Sequence, residues 1–515
     1  MGKKAKESLV NSMKKLPDRE SNFTDWLNAV LLRSDVLDYR YNLKGCGVWR
    51  GYGFKLRKLV MQIIRDLLDT TLIPHEEYLF PLLVPEPQFM KEAQYVKGFE
   101  DEVYWVTHGG LTPLAVKLAV RPTSETAIYP MFSLWVRSHQ DLPLKTYQIV
   151  NIFRFEGKNT RPLIRVREVT TFKEAHTVHS SAKECENQIR EAIAVYSEFF
   201  DTLGLSYIIN RRPEWDKFPG ADYTIAYDVI FPGRHLALQI GTVHNLGQTF
   251  SKTFDIKFEN NNGKIEYAYQ TCYGISERII ASVIGLHGDD NGMILPAHIA
   301  PIQIVIVPII FKESEEELLK ESKKLEIFLK KEDFRVLLDD RNLNPGSKYY
   351  YWELKGVPIR IEIGPKDIAN KQVVLVRRDT NKKIKIANTE IELIKKIRDT
   401  FSEIKNNQTQ KISNHTKKLL FRTKDLNEGL RYVEKDKGIV EIPFCGSEEC
   451  ASEIEKKVEK LKFLGIPARY LDFLDFSDGK LGKNIMNAEM PEKEEIFCVI
   501  CSRRTNEYWT IGRSY

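Results

Sequence analysis

The chain has 515 residues, 42% of them hydrophobic and 29% charged, a balance that buries cores and excludes a wholly disordered protein. At about 100–200 residues per domain it holds roughly three domains. The 77 basic and 71 acidic side chains leave a net charge of +6, which permits a polyanionic partner without demanding one. The longest apolar stretches, such as Ile299–Ile310, contain proline and are shorter than the roughly 18–20 residues of a membrane span.

Residues 1–20 are polar and lysine-rich with no apolar segment behind the charges. They are therefore no secretory signal and read as a solvated leader. Phe23–Tyr41 reads as a helix and its exit. Phe54, Leu59, Val60, Ile63, Ile64, Leu67 and Leu68 recur at helical spacing, which predicts a helix with one apolar face, ended by Pro74. Residues 146–156 and Leu163–Val169 read as the strands of a hairpin around the basic loop Gly157–Pro162. Lys183–Leu203 has helical periodicity and a natural stop at Gly204. Further strand-like segments follow to residue 270.

Composition changes at Leu295–Pro301. Beyond it the expected order is strand Gln303–Val307, helix Glu315–Leu329 with a capping box from Ser314, strand Arg335–Leu338, helix 346–356, strands Ile359–Ile363 and Val373–Arg377, and helix 389–404. Such alternation suggests a small mixed α/β domain. Lys405–Lys418 is rich in Asn, Gln, Thr and Lys, as a linker is. The last hundred or so residues carry Cys445-x4-Cys450 and Cys498-x2-Cys501, while Cys46, Cys185 and Cys272 are isolated. Seven cysteines in this arrangement fit a reducing, cytoplasmic compartment with one metal site better than a disulfide framework. Four thiolates form a closed set that suits structural zinc.

Several polar groups interrupt the apolar pattern. Arg154 and Glu156 share one face of a regular strand; they can read a ligand with anionic and amine parts, or pair with each other in solvent. Arg161, Arg165 and Arg167 suit phosphate oxygens or an exposed basic hairpin. Thr123 or Ser124 could cap the helix that follows Arg121-Pro-Thr-Ser-Glu-Thr126. In Gln239-Ile-Gly-Thr-Val-His244, a regular strand puts Thr242 and His244 on one face and Gln239 on the other. Tyr273-Gly-Ile-Ser-Glu-Arg278 opens a helix, with Arg278 in a first turn that ordinarily favours acids.

Taken in order with Phe172-Lys-Glu-Ala-His176, these segments resemble the class II aminoacyl-tRNA synthetases, most closely the prolyl-tRNA synthetases of archaeal and eukaryotic type. Pro345-Gly-Ser-Lys348 and Trp352–Pro365 resemble that family's anticodon-binding domain, and the likeness spans residues 20–515. It implies an α+β fold. An antiparallel-sheet catalytic domain (21–295) follows the leader 1–20. A mixed α/β anticodon-binding domain (296–405) and a linker (406–418) lead to a small α/β zinc-binding domain (419–515). It also implies ATP-dependent activation of L-proline and charging of tRNA(Pro), with Mg²⁺ on the phosphates and a homodimer paired through residues 50–85.

By the same resemblance Arg154, Glu156, Arg165, Gln239, Thr242, Ser276 and Arg278 hold ATP, with Arg154 and Arg278 acting in catalysis. Thr123, Glu125, Arg154, Phe172, Glu174, His176 and His244 form the proline pocket; relatives commonly carry tryptophan where this chain has Phe172. Lys348, Glu353, Lys355 and Arg360 are the anticodon candidates, Cys445, Cys450, Cys498 and Cys501 hold zinc, and Tyr515 reaches toward the active site. Only about 60 residues separate His176 from His235, so the large editing insertion of many bacterial relatives is absent. Because a pocket rejects a smaller amino acid by only ~1–3 kcal/mol, activation of alanine or cysteine is expected. A threonine enzyme, a non-charging tRNA-binding regulator and a general RNA-binding protein are the rival readings.

Overall fold

Most strands between residues 146 and 270 belong to one sheet that runs on into the C-terminal region, while Lys257–Glu259 and Ile265–Tyr267 pair separately. The computed structural model describes residues 15–93, 99–157, 159–233, 235–310, 315–436, 438–470 and 495–515. Eleven strands lie in the order Leu420–Arg422, Ile439–Pro443, Tyr508–Arg513, Leu461–Pro467, Ile208–Arg211, Tyr223–Ile230, Ala237–Gly247, Tyr269–Ile275, Glu168–His179, Leu144–Phe153 and Glu76–Glu77. Neighbours are antiparallel except at the two edges. The C-terminal strands join the rest through Ile466 opposite Arg211 and Pro467 opposite Asn210. Gly465 makes that junction possible. It has φ +119°, and an added Cβ would lie 2.0 Å from the Arg211 carbonyl oxygen.

Two helices bury the back of this sheet. In Gly51–Asp69 the residues Leu56, Val60, Ile64 and Leu68 fall four apart and form one buried stripe. In Ala182–Thr202, Ile189, Ile193, Tyr196 and Phe200, three or four apart, form another buried stripe, each side chain worth ~1.5–3 kcal/mol when removed from water. Gly204, at φ +69°, follows the helix end as expected. Phe54 is 39% exposed and is not part of the buried stripe.

A second sheet holds Val336–Leu338, Ile304–Pro308, Ile359–Ile363, Gln372–Arg377 and Lys383–Ala387 in that spatial order. Helices Glu315–Lys331 and Glu390–Lys418 supply its buried partners Leu318, Leu325, Leu393 and Ile397. Helix Pro345–Leu354 starts as its sequence dictates: Asn344 accepts from the Ser347 N–H and Pro345 occupies the first turn. Lys355 ties this domain to the first, since its ammonium donates to Asp35 Oδ2 at 2.8 Å and to the Ser34 carbonyl at 3.1 Å.

Four expectations change. The leader is docked from Leu16 onward: Leu16 is buried in the core and Arg19 donates to the Gly285 carbonyl at 2.7 Å. The return strand of the hairpin begins at Glu168 rather than Leu163. Leu163 and Ile164 sink into the core instead, within a turn closed by pairing of Arg161 with Arg165. Tyr273–Ile275 closes a strand, and the helix begins at Arg278. Lys405–Lys418 continues the helix Glu390–Lys418, because Gln408, Ile412 and Thr416 keep a buried stripe through its polar sequence. The proposed cap at Ser314 lies outside the described residues.

Candidate active site

Antiparallel register lines up the polar residues of the central strands. One row across the sheet reads Thr146, His176, Cys272, His244 and Thr224; the next reads Gln148, Glu174, Gly274, Thr242 and Ala226. Above them opens a cavity of about 510 Å³, lined among others by Thr123, Glu125, Arg154, Glu156, Arg165, Phe172, Glu174, Gln239, Thr242, His244, Ser276 and Arg278. Every expected ATP and proline residue except His176 lines it. His176 sits one layer behind, its Nε2 3.5 Å from Glu174 and its Nδ1 3.0 Å from the Tyr129 hydroxyl.

Gln239 reaches the cavity because the strand is not regular. Tyr227 stands opposite Gly241 but Asp228 opposite Gln239, so Ile240 is an extra residue. This bulge turns Gln239 onto the face of Thr242 and His244. Gly274 has no side chain to fill the space beside Phe172, whose ring an added Cβ would touch at 3.4 Å.

One end of the cavity is acidic and buried. Thr123 donates to Glu125, and Ser124 donates to Glu174 rather than capping its helix. Gln148 donates to Glu174 at 2.9 Å and to Ser124 at 3.0 Å. Burial pushes the Glu174 carboxyl up, but hydrogen bonds from His176 and Ser124 and the field of Arg121 leave it below the usual range. His244 is held by Thr224, 2.9 Å from its Nδ1, and by the Phe218 ring. Burial, then the neighbouring His176, lowers it to about 3, so at neutral pH it is an uncharged wall.

The other end is cationic. Arg154 Nε donates to the Pro122 carbonyl at 3.2 Å. Arg165 pairs with Glu156 at 2.8 Å. Arg278 donates to the carbonyls of Ile164 and Gln239 at 3.0 and 3.2 Å. Burial and the charges of Arg154 and Arg165 lower Arg278 to about 10. Like charges held this close favour an anionic ligand. Arg154 and Glu156 lie beyond the strand end at Phe153; the Arg154 N–H still donates to the Arg167 carbonyl at 2.8 Å, and the Glu156 N–H donates to the Arg154 carbonyl at 2.7 Å. Arg167 faces away from the cavity lining, donating to the Glu156 carbonyl at 3.1 Å with its guanidinium over Phe155. A hollow of about 470 Å³ adjoins this end, and Tyr515 lies there with Arg161 over its ring.

Some site residues carry no sequence signal of their own. Gln148 is a buried polar group on an ordinary-looking strand, and Arg121, also buried, opens the Arg121–Thr126 motif without a role assigned to it from the sequence. Arg212 bonds Asp228 at 2.8 Å, Gln239 at 3.0 Å and, across the domain junction, the Leu464 carbonyl at 2.9 Å. Glu277, beside Arg278, was legible only as its neighbour.

The four clustered cysteines meet, their sulfurs all within 4.8 Å of one another and those of Cys445 and Cys501 3.6 Å apart. That spacing fits a tetrahedral ion with metal–sulfur bonds of ~2.3 Å. The anticodon candidates do not share one open face. Lys348 is buried and donates to the Asp339 carbonyl at 2.8 Å, and Lys355 is the buried tether to Asp35. Arg360 bonds Glu353 at 2.8 Å and Glu362 at 3.1 Å and stacks over Tyr349.

A family profile described as the tRNA synthetase class II core domain (G, H, P, S and T) matches residues 104–287. An anticodon binding domain matches 303–400, and a prolyl-tRNA synthetase C-terminal domain matches 427–515. Relatives named proline–tRNA ligase include that of Methanocaldococcus jannaschii, 54% identical over 85% of this chain and 95% of its own length. That of Methanococcoides burtonii is 47% identical over 97% and 98%. The chain belongs to the prolyl-tRNA synthetase family. A Giardia lamblia prolyl-tRNA synthetase in complex with prolyl-adenylate superposes with a TM-score of 0.87 at 36% identity, over 97% of this chain and 100% of that one. A Cryptosporidium parvum enzyme complexed with halofuginone and AMPPNP gives 0.87 at 34%, over 97% and 99%.

Within this synthetase site Glu277 gives a pH-dependent signature. Its Oε2 accepts from the Thr170 N–H, the Thr170 hydroxyl and the Thr171 N–H at 2.8, 2.9 and 3.0 Å. Burial nevertheless raises it from 4.5 to about 7. The folded protein therefore holds a proton that the unfolded chain releases, and stability should fall as pH rises from about 4.5 to about 7, by on the order of 3 kcal/mol. Glu277→Gln should flatten that slope in denaturant unfolding measured across the window; an unchanged slope contradicts it.

Proposed function

We propose that this chain uses ATP to convert L-proline to prolyl-adenylate, releases pyrophosphate, and transfers the prolyl group to the 3′ end of tRNA(Pro). The observation that carries the reading is one cavity with a carboxylate end and a guanidinium end. A secondary ammonium has two N–H donors, and Glu125 with the Thr123 hydroxyl can accept both. Phe172 offers a flat wall to the pyrrolidine ring, with Glu174 and His244 closing the pocket and His176 supporting Glu174 from behind.

Arg154 aligns the proline carboxylate with the α-phosphate. A carboxylate oxygen attacks the α-phosphorus as the bond to the bridging oxygen of pyrophosphate breaks. No protein nucleophile takes part; alignment and neutralisation of growing negative charge do the work. Arg165 and Arg278 take the γ-phosphate end, Glu156 accepts from the adenine amine, and Gln239, Thr242 and Ser276 line the nucleotide. Mg²⁺ carried with ATP adds positive charge on the phosphates when bound.

Structural zinc is assigned to Cys445, Cys450, Cys498 and Cys501. Seven unpaired thiols accord with a cytoplasmic setting, and among the described residues no helix is long and apolar enough to cross a membrane. Guanines of the anticodon are read around Glu353 and Arg360, since carboxylates accept from guanine amines and arginine donates to its acceptors. Lys348 and Lys355 act there by holding the fold. The homodimer forms through residues 50–85, where Leu72, Ile73, Leu79, Leu82 and Leu83 are exposed apolar side chains.

ATP–pyrophosphate exchange across the twenty amino acids, without tRNA, tests the activity. Proline should give the highest kcat/KM. Alanine and cysteine should exchange detectably and keep their adenylates or charged products in cis, because the interval where an editing insertion would lie spans only about 60 residues, holding the helix Ala182–Thr202 and the sheet strands Ile208–Arg211 and Tyr223–Ile230. No exchange with proline overturns the reading, and no signal with either smaller amino acid overturns the misactivation. For the dimer, Leu79→Glu should shift sedimentation from dimer to monomer; a wild-type monomer contradicts the assembly.

A further inference from the structure

Behind the proline end of the cavity three side chains from three separate elements converge. Glu125 opens the helix Glu125–Trp135, His176 lies on the strand Glu168–His179, and Cys272 lies on the strand Tyr269–Ile275. All three are buried, and one ligand atom from each lies within 4.8 Å of the others. Cys272 Sγ is 3.6 Å from Glu125 Oε1 and 3.9 Å from His176 Nε2. A tetrahedral zinc ion, with bonds of ~2.3 Å to sulfur and ~2.0–2.2 Å to nitrogen and oxygen, sets its ligand atoms roughly 3.4–3.8 Å apart.

The surroundings are also those of a metal ligand set. His176 Nε2 lies 3.5 Å from Glu174 and 3.9 Å from the thiol, and the Tyr129 hydroxyl lies 3.0 Å from Nδ1; a metal at Nε2 requires the proton on Nδ1, where the Tyr129 oxygen can accept it and orient the ring. Thiol, imidazole and carboxylate together select zinc-type ions over magnesium. Glu125 and Cys272 both line the cavity, so a fourth coordination position opens toward the substrate space, unlike the closed four-cysteine set near the C-terminus.

We propose that Glu125, His176 and Cys272 bind a zinc-type divalent cation when proline is absent, and that the ion and proline exclude each other. This rests on the reading of that end as the proline site. As the ion enters, the Cys272 S–H bond breaks, its proton leaves to solvent, and a metal–sulfur bond forms in its place. Glu125 cannot then accept from the substrate ammonium, so a rise in free zinc-type metal inhibits activation by competing with proline.

Cadmium is the probe, because cadmium–thiolate bonds absorb in the ultraviolet. Zinc-loaded full-length enzyme is titrated with Cd²⁺ as wild type, Cys272→Ser and His176→Gln. Wild type should show one saturable absorption step that Cys272→Ser lacks. His176→Gln should weaken it by at least about tenfold, the least that removal of even a supporting group costs a metal site. Saturating proline should shift the wild-type titration to higher cadmium, an arm that needs no variant to fold. Equal uptake by wild type and both folded variants, or a wild type with no such step, overturns the site. A step that depends on Cys272 but ignores proline keeps the metal site and overturns both the competition and the assignment of that end to proline.

Discussion

The arrangement depends on opposite charges held apart in one cavity by the register of an antiparallel sheet. Because side chains alternate across strands, pairing of His176, Cys272, His244 and Thr224 in one row, and of Glu174, Gly274 and Thr242 in the next, delivers polar groups to a single face. A one-residue slip would send them all to the opposite, apolar face. The large helices on that apolar face make the register costly to change, so the packing of Tyr196, Phe200, Tyr227 and Tyr273 is what fixes the chemistry on the other side.

The two ends differ in how their charges are tolerated. At the acidic end Glu174 is surrounded by donors from Ser124 and Gln148 with His176 alongside, so its charge is balanced without a ligand. At the cationic end Arg165 has Glu156, while half-buried Arg278 has carbonyl partners and two neighbouring arginines that Asp228 and Glu277 only partly offset. Crowded like charges disfavour one another, and a polyphosphate is the partner that relieves them. Ligand binding of this kind stabilises the fold by mass action. The C-terminal domain takes part through Arg212, which joins Leu464 to Gln239, and through Tyr515 in the adjoining hollow.

Much of this was legible before any coordinates. Helical spacing located Gly51–Asp69 and Ala182–Thr202 to within a few residues, and strand and helix alternation located the second domain. Ordered motifs pointed to many of the residues that line the cavity, Arg154, Gln239 and Arg278 among them, while Asp216, Phe218 and Thr224, which also line it, lie in none of those motifs. Three kinds of feature escaped. The bulge at Ile240 inserts one residue, so the opposite-face placement that a regular strand gives Gln239 does not hold. The polar composition of Lys405–Lys418 hid a one-sided stripe at Gln408, Ile412 and Thr416. The convergence of Glu125, His176 and Cys272 is a product of tertiary structure; their separations in sequence carry no metal-binding spacing. Lys348 and Lys355 show the reverse error, since a basic side chain in a nucleic-acid-binding domain can be used wholly inside the fold.

The separation of the two ends is tested most directly by equilibrium calorimetry of Mg–ATP and of proline, each alone, against wild type, Arg278→Lys and Glu125→Gln. Loss of one charge-assisted hydrogen bond costs ~1.5–3 kcal/mol, roughly ten- to more than a hundredfold in affinity. The account predicts that Arg278→Lys loses affinity of that order for Mg–ATP and keeps its affinity for proline, while Glu125→Gln loses proline and keeps Mg–ATP. Equal losses of both ligands in either folded variant would contradict it.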